Sequence, residues 1–176
     1  MPKYRKMLSD INAPYLQSLM RLIETQSKIT LANWCLDYAE AHILPIYEKH
    51  MPGDDRPRRA IDAARGWLDD KVKLPYVKKI ILDECHAAAR ELDVNPIAQA
   101  AARTCGQAAA CIHAPTHSLG IALYGALAIA YEKLGIDVDW DALVEAAAEE
   151  CGKMEAALRA GAVEDETNPA KINWKC

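Results

Sequence analysis

The chain has 176 residues, a formal net charge of −4 and no phenylalanine. This length fits one domain with a sizeable core, and abundant alanine with scattered β-branched residues predicts an all-α fold. Basic and acidic residues are interspersed along most of the sequence, so the chain lacks the basic footprint of a nucleic-acid-binding protein. We therefore expect no nucleic-acid partner.

The N-terminal sequence and the cysteines indicate a cytoplasmic protein. Met1 to Lys6 are followed by no continuous apolar run, so the beginning of the chain does not resemble a secretory signal. The longest apolar segments are too short for a membrane span and Arg103 interrupts one of them, so we expect no membrane partner. No cysteine pair has C-x-x-C spacing, which predicts reduced, buried thiols, with Cys176 exposed at the end of the chain. The cysteines are Cys35, Cys85, Cys105, Cys111, Cys151 and Cys176.

Apolar periodicity and capping residues predict the first two helices. The first begins near Asn12, a good N-cap. The second covers residues 30–50, and Pro45 should kink it near Ala41, because proline removes a backbone donor and crowds the carbonyl four residues earlier. Its apolar stripe consists of Leu31, Trp34, Cys35, Tyr38, Ala41 and His42.

The third helix is predicted over residues 56–71, after an acidic N-cap and with Trp67 on its apolar face. Its opposite face carries charged residues at spacings of four, three and four, namely Arg58, Asp62, Arg65 and Asp69. One interpretation of this stripe is an exposed ladder of ion pairs between residues on successive turns. The alternative is that its ionisable groups contribute to a functional cluster.

The remaining helices are predicted over residues 76–92, 96–112, 117–134 and 137–160. We therefore predict a single all-helical domain, 1–160, followed by a polar C-terminal tail, 161–176. Trp174 is the residue expected to dock this tail onto the domain.

Residues 96–131 are predicted to form a buried central hairpin. Its two segments are apolar on every side, and Arg103 is the only formally charged residue in either. Helices of this kind in a soluble chain must be covered all round by other helices. Gly120 and Gly125 would let another backbone approach closely, and a homodimer through this helix is left open.

His113 and His117 flank Pro115 at the centre of this hairpin. A spacing of four would place both imidazoles on one helix face, and Cys111 is near enough in sequence to suggest a metal site. Pro115 argues against a continuous helix, and no established metal motif is present, so the two histidines are weak metal candidates. The alternative is that each imidazole hydrogen-bonds a helix end. No motif implies a cofactor or names a reaction.

The polar residues around the hairpin are interpreted as one candidate cluster. Arg103 lies in a buried helix and needs a partner, so we expect it to pair with a carboxylate of Asp54, Asp55 or Asp62. The cluster could fix packing, bind a small anion or provide a histidine general base, and the sequence leaves these alternatives open. Its candidate members are Asp54, Asp55, Arg56, Arg58, Asp62, Trp67, Arg103, Gln107, His113, His117 and Tyr124.

Several motifs occur in order between residues 33 and 131. They are Trp34-Cys35, Leu44-Pro45-Ile46-Tyr47-Glu48, Asp54-Asp55-Arg56-Pro57-Arg58-Arg59-Ala60-Ile61-Asp62-Ala63 with Trp67, Ala101-Ala102-Arg103-x-x-Gly106-Gln107-Ala108, and His113-x-x-x-His117-x-x-Gly120 with Tyr124. This pattern resembles the immunity-5-like family of bacterial immunity proteins. The resemblance implies an all-helical protein that neutralises a polymorphic toxin by binding it, and therefore a protein toxin as partner. It favours a protein without enzymatic activity and leaves that activity open.

Two alternatives stay open beside that resemblance. One is a small-ligand-binding or catalytic helical domain that uses the Arg/His/Asp cluster. The other is a helical scaffold in which the same cluster is purely structural.

Overall fold

The computed structural model describes residues 4–175, and this part of the chain forms seven helices and no strand. The all-α prediction is confirmed. The helices are α1, Pro14–Ile23; α2, residues 28–50; α3, Arg56–Leu68; α4, residues 74–90; α5, Pro96–Ala110; α6, residues 121–134, after a 3₁₀ turn over Pro115–Leu119; and α7, Trp140–Gly161.

Three of these helices contain a π-helical turn within the described residues. In α2, Ala39–Ile43 separates the α-helical segments Lys28–Tyr38 and Leu44–His50. In α4, Ile80–Cys85 lies between Leu74–Lys79 and His86–Arg90, and α6 consists of the π turn Ile121–Ala126 followed by Leu127–Leu134. Each π turn packs against α5.

The helix α5 is the centre of the fold, as its apolar sequence predicts. Asn95 caps it by accepting a hydrogen bond from the Ala98 N–H at 3.1 Å, and Pro96 occupies the first turn, where no backbone donor is needed. Helices α2, α3, α4 and α6 all contact it, and most of its residues are buried. Helix α7 lies outside this layer, against α1, α2 and α6.

Glycines bring α5 and α6 together. A Cβ atom added to Gly120 would lie 2.6 Å from the Cβ of Gln107, and one added to Gly125 would lie 2.9 Å from Cγ2 of Thr104. The predicted close approach is therefore a contact within the chain. Both glycines are buried by it, so this face of α6 is not available to a second copy.

The hairpin breaks at Pro115. Helix α5 ends at Ala110, Ala114 adopts an extended conformation with φ −135° and ψ 100°, and the 3₁₀ turn begins at Pro115. Proline disfavours helical geometry in the residue before it, which explains the extended Ala114. His113 and His117 are therefore not on one continuous helix face.

Pro45 was predicted to disturb the helix near Ala41, and the chain forms a π turn, Ala39–Ile43, at that place. Helix α2 then continues to His50. A π turn adds a residue to the helical repeat, so the face of the helix changes beyond it. The prediction that Ala41 and His42 belong to the apolar stripe is wrong, because both are exposed and Ile43 and Leu44 are buried instead.

The first helix begins later than predicted. The N-cap position is Ala13, without a side-chain cap, and Pro14 is the first helical residue. Proline is favoured at that position because the missing N–H would have no partner in the helix. The predicted cap at Asn12 is therefore wrong by one residue.

The segment after α7 packs along the turn that follows α1. The Gln26 side chain accepts from the Val163 N–H at 2.8 Å, and the Gln26 backbone carbonyl accepts from Ala170 N–H at 2.8 Å. Trp174 donates through Nε1 to the Glu24 carboxylate, which is the docking contact expected of this residue.

Cys35, Cys85, Cys105, Cys111 and Cys151 are free and buried, as predicted, and Cys176 lies outside the described residues. No helix among residues 4–175 is both long enough and apolar enough to cross a bilayer.

Candidate functional sites

The residues expected to form one polar cluster are divided among three places in the structure. The first is the beginning of α3, where Asp54 accepts hydrogen bonds from Tyr47 Oη at 2.8 Å and from Arg56 Nη2 at 2.7 Å. Arg56 also donates to Glu91 through Nη1 and Nη2, at 3.1 and 2.8 Å. This group of four side chains joins α2, α3 and the end of α4.

The electrostatics of this group follow from its contacts. The Arg56 guanidinium lowers the pKa of Asp54 to about 2, against the opposing effect of burial. Burial and the neighbouring Asp54 carboxylate raise the pKa of Tyr47. Asp55 is exposed and makes no side-chain cap, because Asp54 accepts from the Arg56 backbone N–H instead, at 3.1 Å.

The second place is the outer face of α3, and the predicted ladder along that helix is wrong. Arg58 donates to Glu48 at 2.6 Å, and Arg65 donates to Asp37 and Glu40. The arginines thus reach across to α2 instead of pairing with Asp62, which is exposed. Trp67, on the other side of α3, is half-buried against the core.

The expected pairing of Arg103 is also wrong. Asp54 is occupied by Arg56, and Asp55 and Asp62 point outward. Within the described chain, Arg103 takes part in no ion pair, and its Nε is buried without a hydrogen-bond partner. The competing cation, Arg56, lies only two residues beyond Asp54 and binds it instead.

The third place is the hairpin itself, where Gln107, His113 and His117 meet. His117 Nδ1 lies 2.7 Å from Gln107 Oε1, and the rings of His113 and His117 have centroids 5.9 Å apart. An amide oxygen only accepts, so His117 carries its proton on Nδ1 and directs Nε2 away from this contact. Gln107 follows Arg103 by one turn of α5, which places both on the same side of the helix.

A fifth polar residue of this group, His86, was not predicted. It lies over α5 at Gly106, where an added Cβ would come within 2.5 Å of His86 Cε1. We call Arg103, Gln107, His86, His113 and His117 the hairpin cluster. His86 directly follows the π turn of α4. A π turn changes which residues face the core, so a constant helical period could not predict the position of His86.

The pKa values of the three imidazoles are all lowered. Burial is the largest cause for His86, and the charges of Arg103, Arg90 and His117 lower its pKa further. Burial likewise lowers the pKa of His113 and His117. For His113, the next causes are Lys78, His117 and Lys28. No carboxylate appears among these influences on the three imidazoles.

Tyr124 is adjacent to this cluster but not part of it. It lines a separate cavity of about 200 Å³, with Gln107 and Thr116 on one side and Trp174 on another. Cys111, which might have joined a metal site, turns inward, and its Sγ lies 3.2 Å from that of Cys35. Among residues 4–175 no three side chains of metal-ligating type come together.

Outside the three places described above, a group of acidic residues lies on the surface at the junction of α6 and α7. From residue 134 to 149 every formally charged residue is acidic, and all five are exposed; they are Asp137, Asp139, Asp141, Glu145 and Glu149. None of them takes part in an ion pair within the described chain. Exposed Leu134 and Val138 lie in the same stretch, and Arg5 covers Trp140, with its guanidinium carbon 4.5 Å from the ring centroid.

We call residues 134–149 the acidic face. Asp141, Glu145 and Glu149 repeat every four residues, which places them on one side of α7 over about 12 Å. Sequence reasoning assigned these three residues no role. The available signal was the absence of any Lys or Arg between residues 134 and 152.

These features define an all-α protein with an acidic external face and a basic polar cluster at its central hairpin. A model of the Imm-5 like putative immunity protein family matches residues 21–157, and the chain belongs to this family. The resemblance noted in the sequence motifs is thereby confirmed. The chain matches no curated protein and no solved structure.

Proposed function

We propose that this chain is an immunity protein that acts in the bacterial cytoplasm by binding and neutralising a protein toxin. Its membership of the Imm-5 like family over residues 21–157 is the observation that carries the proposal. Immunity by binding requires no catalytic group. It requires a surface that a partner can recognise.

The acidic face is the surface that fits such a partner best. Five unpaired carboxylates surround exposed Leu134 and Val138. Protein interfaces commonly combine an apolar centre with a polar rim, and charge complementarity adds speed and selectivity to association. The partner that fits is a toxin with a basic surface, because this one face carries five acidic and no basic residues in a chain whose net charge is −4.

The shape of this surface supports the same interpretation. The three carboxylates on α7 are carried by a long helix anchored through Leu143, Ala147 and Cys151, all of them buried. Their positions are therefore fixed before a partner arrives, and a preorganised surface loses less entropy on binding.

The test begins with capture of partners from a lysate of the source cells by the tagged protein, followed by mass spectrometry. A captured protein supports the proposal only if its expression alone arrests growth and co-expression with this chain restores it. The acidic face is then tested with the triple variant Asp141→Lys, Glu145→Lys and Glu149→Lys. We expect association with the toxin to slow at least about tenfold, with loss of protection in cells.

A matched control makes the same charge change elsewhere. Asp62, Asp83 and Glu164 are exposed and take part in no ion pair within the described chain, so their triple replacement by Lys should leave protection intact. Equal loss of protection in both triple variants would contradict the assignment to the acidic face. Failure to find any captured protein whose toxicity this chain relieves would contradict the function itself.

A further inference from the structure

A cavity of about 430 Å³ lies between α2 and the end of α7, and we call it the α2–α7 pocket. Three aromatic side chains of α2, at intervals of four residues, line it: Trp34, Tyr38 and His42. The π turn Ala39–Ile43 contributes to this arrangement, because it leaves Ala41 and His42 exposed at the pocket instead of buried in the core. All of these side chains line one cavity and so face a common space.

The packing of the protein holds these aromatic rings in place. Trp34 and Tyr38 are each only 6 % exposed, and Trp34 Nε1 donates to the Met154 carbonyl of α7 at 3.1 Å. The rings of Tyr38 and His42 have centroids 4.5 Å apart. The Tyr38 hydroxyl makes no hydrogen bond within the described chain, and burial raises its pKa to about 12, with a further contribution from the Glu150 charge. The pocket therefore combines preformed aromatic walls with a hydroxyl that lacks a partner.

The lining of the pocket is negatively charged. Within the described chain, Asp37 is the only formally charged residue that lines it, and no lysine or arginine does so. Asp37 Oδ1 accepts from Arg65 at 2.5 Å, whereas its Oδ2 accepts no hydrogen bond within the described chain. The end of α7 adds to this field, because Ala157, Leu158 and Gly161 lie in the last two turns of a 22-residue helix, where backbone carbonyls carry partial negative charge.

The free polar groups of the pocket are mainly hydrogen-bond acceptors. Asn33 donates through its amide nitrogen to the Ile29 carbonyl at 3.1 Å, which leaves its Oδ1 available. Asp37 Oδ2 and the Tyr38 hydroxyl can also accept. Aromatic faces attract cations, most strongly where water is excluded. A ligand that complements this pocket is therefore a planar cation that carries several N–H donors.

We propose that the α2–α7 pocket binds a guanidinium group, which stacks on the aromatic wall of Trp34 and Tyr38 and donates hydrogen bonds to Asp37. A guanidinium is planar, always charged, and stacks on aromatic faces while its edge donates. The arginine side chain of a polypeptide and a free guanidinium compound share this chemistry. The proposal goes beyond the neutralisation of a toxin and does not depend on it.

The first experiment uses the full-length protein and methylguanidinium chloride as the probe, at concentrations below those that begin to unfold the protein. The ring signals of Trp34 and Tyr38 are followed by NMR, with sodium chloride at equal ionic strength as the reference. N-methylurea, which has nearly the same shape and no charge, is titrated in parallel. We expect methylguanidinium to shift both sets of signals saturably and to bind at least about tenfold more tightly than N-methylurea. Binding no tighter than that of N-methylurea would overturn the proposal.

A second cation tests the role of the acceptors. Tetramethylammonium is attracted by aromatic rings but has no N–H donor, so it should bind at least about fivefold more weakly than methylguanidinium. Equal binding of the two cations would contradict a site for a guanidinium group.

A capped arginine separates the two sources of the group. N-acetylarginine N-methylamide that binds more tightly than methylguanidinium would support the site and identify an arginine side chain of a polypeptide as its ligand. Equal binding of the two compounds would support the site and identify a free guanidinium compound.

Two matched carboxylate variants assign the binding to the pocket. Asp37 and Glu40 are both exposed and both accept from Arg65, but only Asp37 lines the pocket. Asp37→Asn should therefore weaken methylguanidinium binding at least about fivefold, whereas Glu40→Gln should change it by less than about twofold. Equal weakening by the two variants would show a general effect of charge and would overturn the proposal.

A second pair of variants tests the space itself. Ala157→Leu places a larger side chain in the pocket, and Ala156→Leu places the same side chain on the neighbouring exposed residue, which does not line it. We expect Ala157→Leu to reduce methylguanidinium binding at least about fivefold and Ala156→Leu to leave it unchanged. Wild-type affinity in a folded Asp37→Asn or Ala157→Leu protein would overturn the proposal.

Discussion

His117 donates a hydrogen bond from Nδ1 to Gln107 Oε1 at 2.7 Å, and this contact ties the 3₁₀ turn after Pro115 to the central helix α5. Gly120 makes the contact feasible, because its missing side chain leaves room for Gln107. The hydrogen bond also sets the tautomer of His117 and thereby the direction of its second nitrogen. One amide therefore organises both the packing and the chemistry of the hairpin cluster.

Replacement of this amide by a carboxylate should change the titration of His117. In Gln107→Glu, a negative charge would lie within hydrogen-bonding distance of the imidazole, so we expect its pKa to rise by about one to two units. NMR titration of His117 measures this change.

Gln107→Leu is the matched control, since it removes the acceptor and adds no charge. It should destabilise the protein by about 1 kcal/mol, the usual contribution of one hydrogen bond, and should not raise the pKa of His117. An unchanged pKa in the Gln107→Glu protein would show that residue 107 does not contact the imidazole in solution.

The three lowered histidine pKa values predict that stability falls as the solution becomes mildly acidic. Burial depresses the pKa values of His86, His113 and His117 from 6.5, so the unfolded chain binds protons more readily than the folded chain. Their contribution to stability is complete above pH 6.5. It is lost as pH falls below that value and through the lowered pKa values of the folded protein.

Urea unfolding at a series of pH values tests this expectation. The interval between pH 6.5 and about 5 isolates the histidines, because the carboxylates titrate below it. His86→Gln should flatten the profile in this interval, whereas His42→Gln, on the exposed side of α2, should not. A wild-type stability that is constant from pH 7 to about 5 would contradict the expected linkage.

Two glycine substitutions should have opposite signs. In Gly120→Ala the new Cβ would meet the Gln107 Cβ at 2.6 Å, and that atom cannot move without its helix backbone. We expect a loss of about 1 to 3 kcal/mol. Gly152 lies within α7 with no atom within 4 Å of an added Cβ, so Gly152→Ala should stabilise the protein by about 0.5 to 1 kcal/mol.

Thermal and urea denaturation of both variants measure the difference. A neutral or stabilising effect of Gly120→Ala would mean that α5 and α6 are less closely packed than the structure indicates. The Gly152→Ala variant is the control for the general effect of replacing a glycine by alanine.

The sequence predicted those features of the fold that depend on local residue chemistry. The burial of α5 follows from an apolar surface on every side, and the break at Pro115 follows from the geometry that proline imposes on Ala114. The close approach at Gly120 and Gly125 follows from the size of glycine. Each of these inferences needs only the residue and its immediate neighbours.

The wrong or missing predictions concern mainly features that depend on packing between residues distant in the sequence. The π turn in α2 changes which residues face the core, so the exposure of Ala41 and His42 could not be read from a constant helical period. The prediction for Arg103 failed for a local reason, because Arg56, two residues beyond Asp54, binds that carboxylate. His86 joined the candidate site only through three-dimensional packing at Gly106.

Asp54 and Asp55, two neighbouring aspartates at the beginning of α3, should contribute differently to stability. Asp54 accepts from Tyr47 and Arg56, and its pKa falls from 3.8 to about 2 in the folded protein. A shift of that size corresponds to about 2 kcal/mol of stability at neutral pH. Because the folded-state pKa is depressed, this contribution is present above pH 3.8 and is lost as pH falls towards about 2.

Asp54→Asn should therefore destabilise the protein by about 2 kcal/mol at pH 7, and the deficit should shrink as the pH is lowered through this range. Asp55→Asn, one residue later on an exposed side chain, should change stability by less than about 0.5 kcal/mol. Urea unfolding of both variants at pH 7 and pH 3 measures the contrast. Equal effects of the two substitutions would mean that Asp54 does not hold Arg56 and Tyr47 together.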